Sequence, residues 1–212
     1  TGNVCILKHA SNVPLSAQAI QEITKEANLP NGVFTNLPID SKTATKIIEE
    51  DLIDGISLTG STEVGSKIGE IAGKNIIKTV LELGGSDPFI VLEDADIEEA
   101  AKQGVKSRLV NAGQSCTSAK RFIVVEKIAK EFYTEFKKNF EKMKVGDPLD
   151  PETDIGPLAK REFVKELESQ LKDSITENTE ILQLPIPKKG FFIKPTIIFN
   201  PPKDSRIVRE EV

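Results

Sequence analysis

Gly55-Ile56-Ser57-Leu58-Thr59-Gly60-Ser61-Thr62-Glu63-Val64-Gly65 is the stretch on which the fold turns. Gly55 to Leu58 is a short apolar run and reads as a strand. Thr59-Gly60 leads out of it into a helix expected from about Thr62 to Ala72. The next apolar run, Thr79-Val80-Leu81-Glu82-Leu83, reads as a strand again. Strand, helix and strand in this order ask for a parallel pair with a crossover helix, and hence an α/β fold.

The same alternation extends toward the N-terminus. Val4 to Leu7 reads as a strand, and Pro14 to Ala27 as a helix with Leu15, Ala19, Ile20 and Ile23 near helical spacing. Pro30-Asn31-Gly32 is a turn, Val33 to Leu37 a strand, and Ser41 is expected to cap a helix from about Lys42 to Glu50. In the other direction Gly84-Gly85-Ser86-Asp87-Pro88 breaks the pattern, and a domain boundary is expected there. Phe89 to Leu92 then opens a second unit. Asp96 is expected to cap a helix to about Val110, with Glu98 and Glu99 in its first turn, where carboxylates suit the helix dipole. A turn at Gly113 carries Cys116, and Arg121 to Val125 is a strand. Ile128 to Met143 is amphipathic, with Phe132, Phe136 and Phe140 at steps of four that predict core. A Pro/Gly/Asp-rich loop from Gly146 to Pro157 precedes a helix from about Lys160 to Leu171. Pro185 to Pro202 alternates turns with an apolar run from Phe191 to Phe199.

Composition narrows the function classes. Hydrophobic residues are 38% and charged residues 29%, the balance of an ordinary globular protein. A net charge of −5 gives no basic footprint, so no nucleic-acid partner is expected. No apolar run reaches the roughly 18 residues of a membrane span. Two cysteines, Cys5 and Cys116, make no disulfide framework and suit a reducing, cytoplasmic setting. No Cys/His metal pattern occurs. His9 is the only histidine, is assigned no role, and leaves no second one for a Cys-His or Ser-His-Asp site within the chain. The chain opens in an apolar run without a start methionine and stops at Arg209-Glu210-Glu211-Val212. A piece of a longer protein is expected on that ground.

Three constellations could carry chemistry. Cys116 stands among Gly113, Ser115, Thr117 and Ser118, small residues that admit a substrate and expose backbone N–H groups. A free cysteine that only packs is the plainer reading. Cys5, in its apolar strand, is expected to be core. Glu82 interrupts an apolar run, where a carboxylate is costly unless paired, used or on a wet face. The Gly84-Gly85 that follows gives it room to move, or gives a ligand access to the backbone. Gly60 to Gly65 follows a strand and opens a helix, which is anion-binding geometry, although a plain Ser/Thr cap reads the same way. It is neither a G-x-G-x-x-G fingerprint nor a P-loop. Lys8 taken alone reads as a solvated lysine.

Four segments in order resemble the aldehyde dehydrogenase superfamily. They are Leu7-Lys8-His9-Ala10-Ser11, Thr59 to Gly65, Leu81-Glu82-Leu83-Gly84-Gly85, and Gly113-Gln114-Ser115-Cys116 with Arg121. A fifth, Arg209-Glu210-Glu211-Val212, looks like the opening of a further family motif. The resemblance covers the whole chain. It implies an incomplete Rossmann-like, NAD(P)-binding sheet over residues 1–84 and an α/β catalytic domain, truncated, over 85–212. It implies Cys116 as nucleophile and Glu82 as general base. It implies Lys8 at the adenosine ribose, Thr59, Gly60 and Ser61 around the nicotinamide and pyrophosphate, and Glu211 at the nicotinamide ribose. Many NAD-preferring relatives place a glutamate where Ser11 stands. A serine there removes repulsion of a 2′-phosphate, so NADP is expected as cofactor, with NAD as the alternative. The segments Leu81 to Leu92 and Lys120-Arg121-Phe122 look most like succinate-semialdehyde and related small-aldehyde dehydrogenases. Val110 occupies a position where one branch of these carries an arginine for the substrate carboxylate, which keeps glyceraldehyde or another small aldehyde open. The parent is expected to be a homo-oligomer, a dimer or a tetramer. The competing expectation is a catalytically silent, truncated domain, because the family's oxyanion asparagine would lie upstream of Thr1.

Overall fold

The computed structural model describes residues 2–212. The chain forms two compact units, one ending at Leu83 and the other running Gly84–Val212.

The first unit holds two βαβ motifs joined by a helix. β1 (Cys5–Leu7), α1 (Pro14–Glu26) and β2 (Phe34–Asn36) form the first, with Leu7 opposite Asn36 in a parallel pair. α2 (Ser41–Glu49) follows. β3 (Gly55–Thr59), α3 (Thr62–Lys74) and β4 (Lys78–Glu82) form the second, again parallel, with Thr59 opposite Glu82. Ile48, Ala72 and Ile77 are buried in its core, with Ile53, Ile56, Ile68 and Ile71 against them. Gly65 is buried because Leu83 packs on it: a Cβ there would come within 2.5 Å of a Leu83 methyl carbon.

Two local expectations are corrected here, the cap of α2 and the burial of Cys5. Asp40, not Ser41, caps α2, its carboxylate accepting from Thr43 N–H at 2.7 Å. Asp40 precedes the helix with extended backbone, so its oxygen reaches back over the first turn. Helix α1 starts after Val13, which makes no side-chain cap hydrogen bond. Cys5 is exposed rather than core. Its strand is one of a pair, and Val4 and Ile6 beside it are exposed as well. An apolar run buries only what some other element covers.

The second unit opens with a third βαβ motif: β5 (Asp87–Val91), α4 (Ile97–Leu109) and β6 (Ala119–Val124), with β5 and β6 parallel. α5 (Glu126–Phe140) and α6 (Arg161–Ser174) follow, then antiparallel β7 (Ile181–Gln183) and β8 (Thr196–Ile198), and the single turn α7 (Arg206–Arg209). Only Thr196–Ile198 of the apolar run Phe191 to Phe199 becomes strand.

Asp96 caps α4 through Glu99 N–H, as its position in the sequence predicts. The phenylalanine stripe is core: Phe132, Phe136 and Phe140 are buried with Val91, Ala101, Val105 and Leu109. Phe122 meets Phe136 edge-to-face at 4.7 Å and Phe89 at 5.3 Å. Gly104 lets α4 approach these rings, since a Cβ there would stand 2.9 Å from Phe122. Side chains alternate along β5 and β6. Phe89, Val91, Phe122 and Val124 face the core, while Ile90, Leu92, Ile123 and Val125 are exposed.

Candidate active site

The thiol is presented by a backbone that reverses hand. α4 ends at Leu109, and Asn111, Ala112 and Gly113 follow with φ of 51°, 56° and 78°. Two of the three are not glycine, and the left-handed region costs an L-residue about 1–2 kcal/mol. Side-chain amides hold the reversal. Gln114 donates to the Asn111 carbonyl at 3.0 Å and accepts from Ala159 N–H at 2.9 Å, while Asn111 donates to the Gln114 carbonyl at 3.3 Å. A β-turn then spans Ser115 to Ser118, closed by Ser118 N–H on the Ser115 carbonyl at 3.1 Å. Cys116 is its second residue and is exposed. The N–H groups of Cys116 and Thr117 have no acceptor among the described residues.

The turn rests on β6. Lys120, its second residue, shares a face with Phe122 and Val124, and its side chain is 2% exposed. Its ammonium donates to the carbonyls of Gly85 at 2.5 Å, Ser115 at 3.3 Å and Cys116 at 3.3 Å. Glu211 Oε1 lies 3.7 Å away as its counterion. Arg121 donates from Nε and Nη2 to the Ser86 carbonyl at 3.1 and 2.9 Å, fixing the segment that follows Gly85.

Glu211 is delivered from the far end of the unit. Buried Gln170 on α6 donates to the Glu211 carbonyl at 2.9 Å and to Glu210 Oε2 at 3.1 Å. Arg206 hydrogen-bonds to Glu210 and holds its carboxyl below the usual range, and Gln170 acts in the same direction. The Glu211 carboxylate then lies on Gly84, where any Cβ would fall inside it. Room at Gly84 therefore serves Glu211.

In the first unit the carboxyl ends of the strands collect the other expected residues. Glu82 ends β4 opposite Thr59, and its carbonyl accepts from Gly60 N–H at 3.0 Å. The Glu82 side chain is exposed and has no partner among the described residues. Ser61 caps α3 by accepting from Val64 N–H at 3.3 Å. The cap does not use up the helix end: Thr62 and Glu63 N–H have no acceptor among the described residues. Free N–H groups at a helix start, beside the carboxyl edge of a parallel pair, suit a dinucleotide phosphate. Lys8 and Ser11 stand past the end of β1. Lys8 donates to the His9 carbonyl at 2.8 Å, and Ser11 is exposed in a turn closed by Val13 N–H on the Ala10 carbonyl at 3.1 Å.

Motif reading leaves two residues of this arrangement without a role, Lys120, quoted only as part of Lys120-Arg121-Phe122, and Gln170. Period two along β6 puts Lys120 on the core face with Phe122 and Val124, and a lysine there is the signal that could have found it. Gln170 gives no comparable local signal.

The chain thus has an exposed thiol on a tight turn in one unit, and a strand-end carboxylate and an open helix start in the other. Residues 1–212 match the aldehyde dehydrogenase family model, and the chain belongs to that family. It is 43% identical to the probable succinate-semialdehyde dehydrogenase (NADP+) of Synechocystis sp., over 99% of this chain and 47% of that protein. It is 42% identical to the succinate-semialdehyde dehydrogenase (NADP+) of Mycobacterium avium, over 100% of this chain and 45% of that protein. The succinic semialdehyde dehydrogenase of Streptococcus pyogenes, solved with NADP+, superposes with a TM-score of 0.90 at 43% identity, over 97% of this chain and 46% of that one. The chain spans about half the length of the relatives it matches.

Proposed function

We propose that this chain carries the thiol and cofactor-facing parts of an NADP-accepting aldehyde dehydrogenase that oxidises a small aldehyde to its acid. The observation that carries the reading is Cys116, exposed on a turn with two N–H groups that have no acceptor among the described residues, in a chain that matches the family throughout. On this reading the unit ending at Leu83 binds the nucleotide and Gly84–Val212 holds the thiol. Succinate semialdehyde is the first substrate to try, from the names of the relatives, with glyceraldehyde beside it because of Val110.

The chemistry follows from the side chains. The Cys116 thiolate attacks the aldehyde carbon, and the oxyanion that forms is met by the N–H of Cys116. A nicotinamide dinucleotide held at Lys8, Ser11 and the start of α3 would supply the hydride acceptor. Cys116 then holds the acyl group as a thioester. Glu82, unpaired and exposed at a strand end, takes the proton of the water that releases the acid. Lys8 and Ser11 supply a cation and a hydroxyl toward a 2′-phosphate, and neither repels it.

The test uses the protein expressed from its full reading frame. Aldehyde-dependent reduction of NADP is expected, and Cys116→Ala is expected to lower it by more than about 10³-fold. Absence of turnover with every small aldehyde, or retained turnover in Cys116→Ala, overturns the reading. Ser11→Glu is expected to shift preference toward NAD, and an unchanged NADP-to-NAD ratio would remove Ser11 as the discriminator.

A further inference from the structure

An ammonium has three N–H donors and no acceptor. At Lys120 all three find carbonyls: Gly85, Ser115 and Cys116. Two of these belong to the peptide groups on either side of Cys116. A trans peptide is planar, with its C=O and N–H pointing in opposite directions. The Ser115 carbonyl drawn toward Lys120 therefore sends Cys116 N–H to the other side of the chain. The Cys116 carbonyl does the same for Thr117 N–H. Those are the two N–H groups left without an acceptor. A buried cation also needs an anion, and Glu211 is the only carboxylate in contact with it among the described residues.

We propose that Lys120 is a positioning residue, which pins the Ser115 and Cys116 carbonyls so that the N–H groups of Cys116 and Thr117 face an oxyanion, with Glu211 as its counterion. This rests on Cys116 being the nucleophile. Lys120 touches neither substrate nor thiol on this account. It acts through the orientation of two peptide planes.

The test separates attack that needs an oxyanion site from attack that does not. With p-nitrophenyl acetate a C–S bond forms, the C–O bond to p-nitrophenolate breaks, and the carbonyl oxygen bears charge in between. The reaction needs no cofactor. With iodoacetamide the thiolate displaces iodide and no oxyanion forms. Both are run on the full-reading-frame protein with Cys5 replaced by serine. Lys120→Met is expected to slow release of p-nitrophenolate by about 10²-fold, the effect of losing an oxyanion donor, and to change alkylation of Cys116 less than about threefold. Lys120→Arg keeps the charge and is expected to fall between Met and wild type. If Lys120→Met does not fold, Lys120→Arg carries the test. A slower ester reaction with alkylation kept supports the proposal, and wild-type rates in both overturn it. Equal loss of both reactions also overturns it, since that marks a collapsed turn. A wild-type protein that alkylates at Cys116 yet cleaves no ester brings down the functional reading and the proposal with it. Ester cleavage that is untouched in the Lys120 variants brings down the proposal alone.

Discussion

Gly84 and Gly85 are neighbours with opposite demands, and alanine at each gives a paired experiment. A Cβ at Gly84 has all three Glu211 carboxylate atoms within 2.7 Å, so the carboxylate must retreat. Ordinary contact lies near 3.5–4.0 Å, which sets the retreat of the nearest oxygen at about 2 Å. A Cβ at Gly85 meets only Asp87 Oδ1 and the Cys116 carbonyl, both at 3.5 Å, which is ordinary contact. Retreat of Glu211 lengthens an ion pair to Lys120 that already measures 3.7 Å. The lysine side chain is 2% exposed and the glutamate 48%, so the pair is only half desolvated. The loss of stability in Gly84→Ala is then about 1–2 kcal/mol, below the cost of breaking a fully buried pair. If Glu211 also holds a ribose, one charge-assisted hydrogen bond of about 1.5–3 kcal/mol goes with it, or about 10–150-fold in Kd. Urea unfolding and calorimetric titration with NADP measure the two effects. Gly85→Ala should stay within about threefold in Kd and 0.5 kcal/mol in stability. Equal behaviour of the two alanine variants, or a silent Gly84→Ala, refutes the reasoning.

Other outcomes follow from single contacts. Phe136→Ala removes the ring that meets Phe122 and Phe132, and should cost about 3–5 kcal/mol in urea unfolding. Asp96→Ala removes the cap of α4 and should cost about 1 kcal/mol by the same measurement. Glu210 titrates below its ordinary value of 4.5, chiefly through Arg206. A depressed carboxylate contributes stability above the ordinary value and loses it as pH falls through the depressed one. The gap in urea midpoint between wild type and Arg206→Gln should therefore hold at neutral pH and close below about pH 4.5. Both cysteines are exposed, so peptide mapping after iodoacetamide should find label on Cys5 as well as Cys116, and Cys5→Ser should keep any aldehyde oxidation within about twofold.

What the sequence made legible was whatever a few neighbouring residues decide. Alternating apolar runs gave the βαβ order, four-residue steps gave the phenylalanine core, and Asp96 declared its cap. Cys5 went wrong because burial depends on what covers a strand, and no local pattern states that. Asp40 and Ser41 are both good caps, and one residue of backbone extension separates them. The role of Gly84 was hidden because its partner is Glu211, at the other end of the unit. Lys120 was half legible: strand period, carried one residue further back, would have given its face, but its three carbonyl acceptors and its counterion come from three separate segments. The side-by-side placement of Thr59 and Glu82 is a matter of register, which the runs themselves did not specify.

β5 and β6 carry apolar side chains outward at Ile90 and Ile123, with exposed Leu92 and Val125 just past their ends, and among the described residues each strand has a ladder partner on one side only. Such a surface bears on how this chain is lost as well as on how it is held. Backbone groups along an unpaired edge, next to an apolar face, template pairing with another copy once heating loosens the helices. Heat-driven loss then runs downhill into association, so a midpoint will move with scan rate and protein concentration and report a rate. Urea solvates apolar and peptide groups alike and keeps the opened chain dispersed. In urea at low protein concentration, unfolding and refolding curves are therefore expected to coincide, and hysteresis between them would refute this.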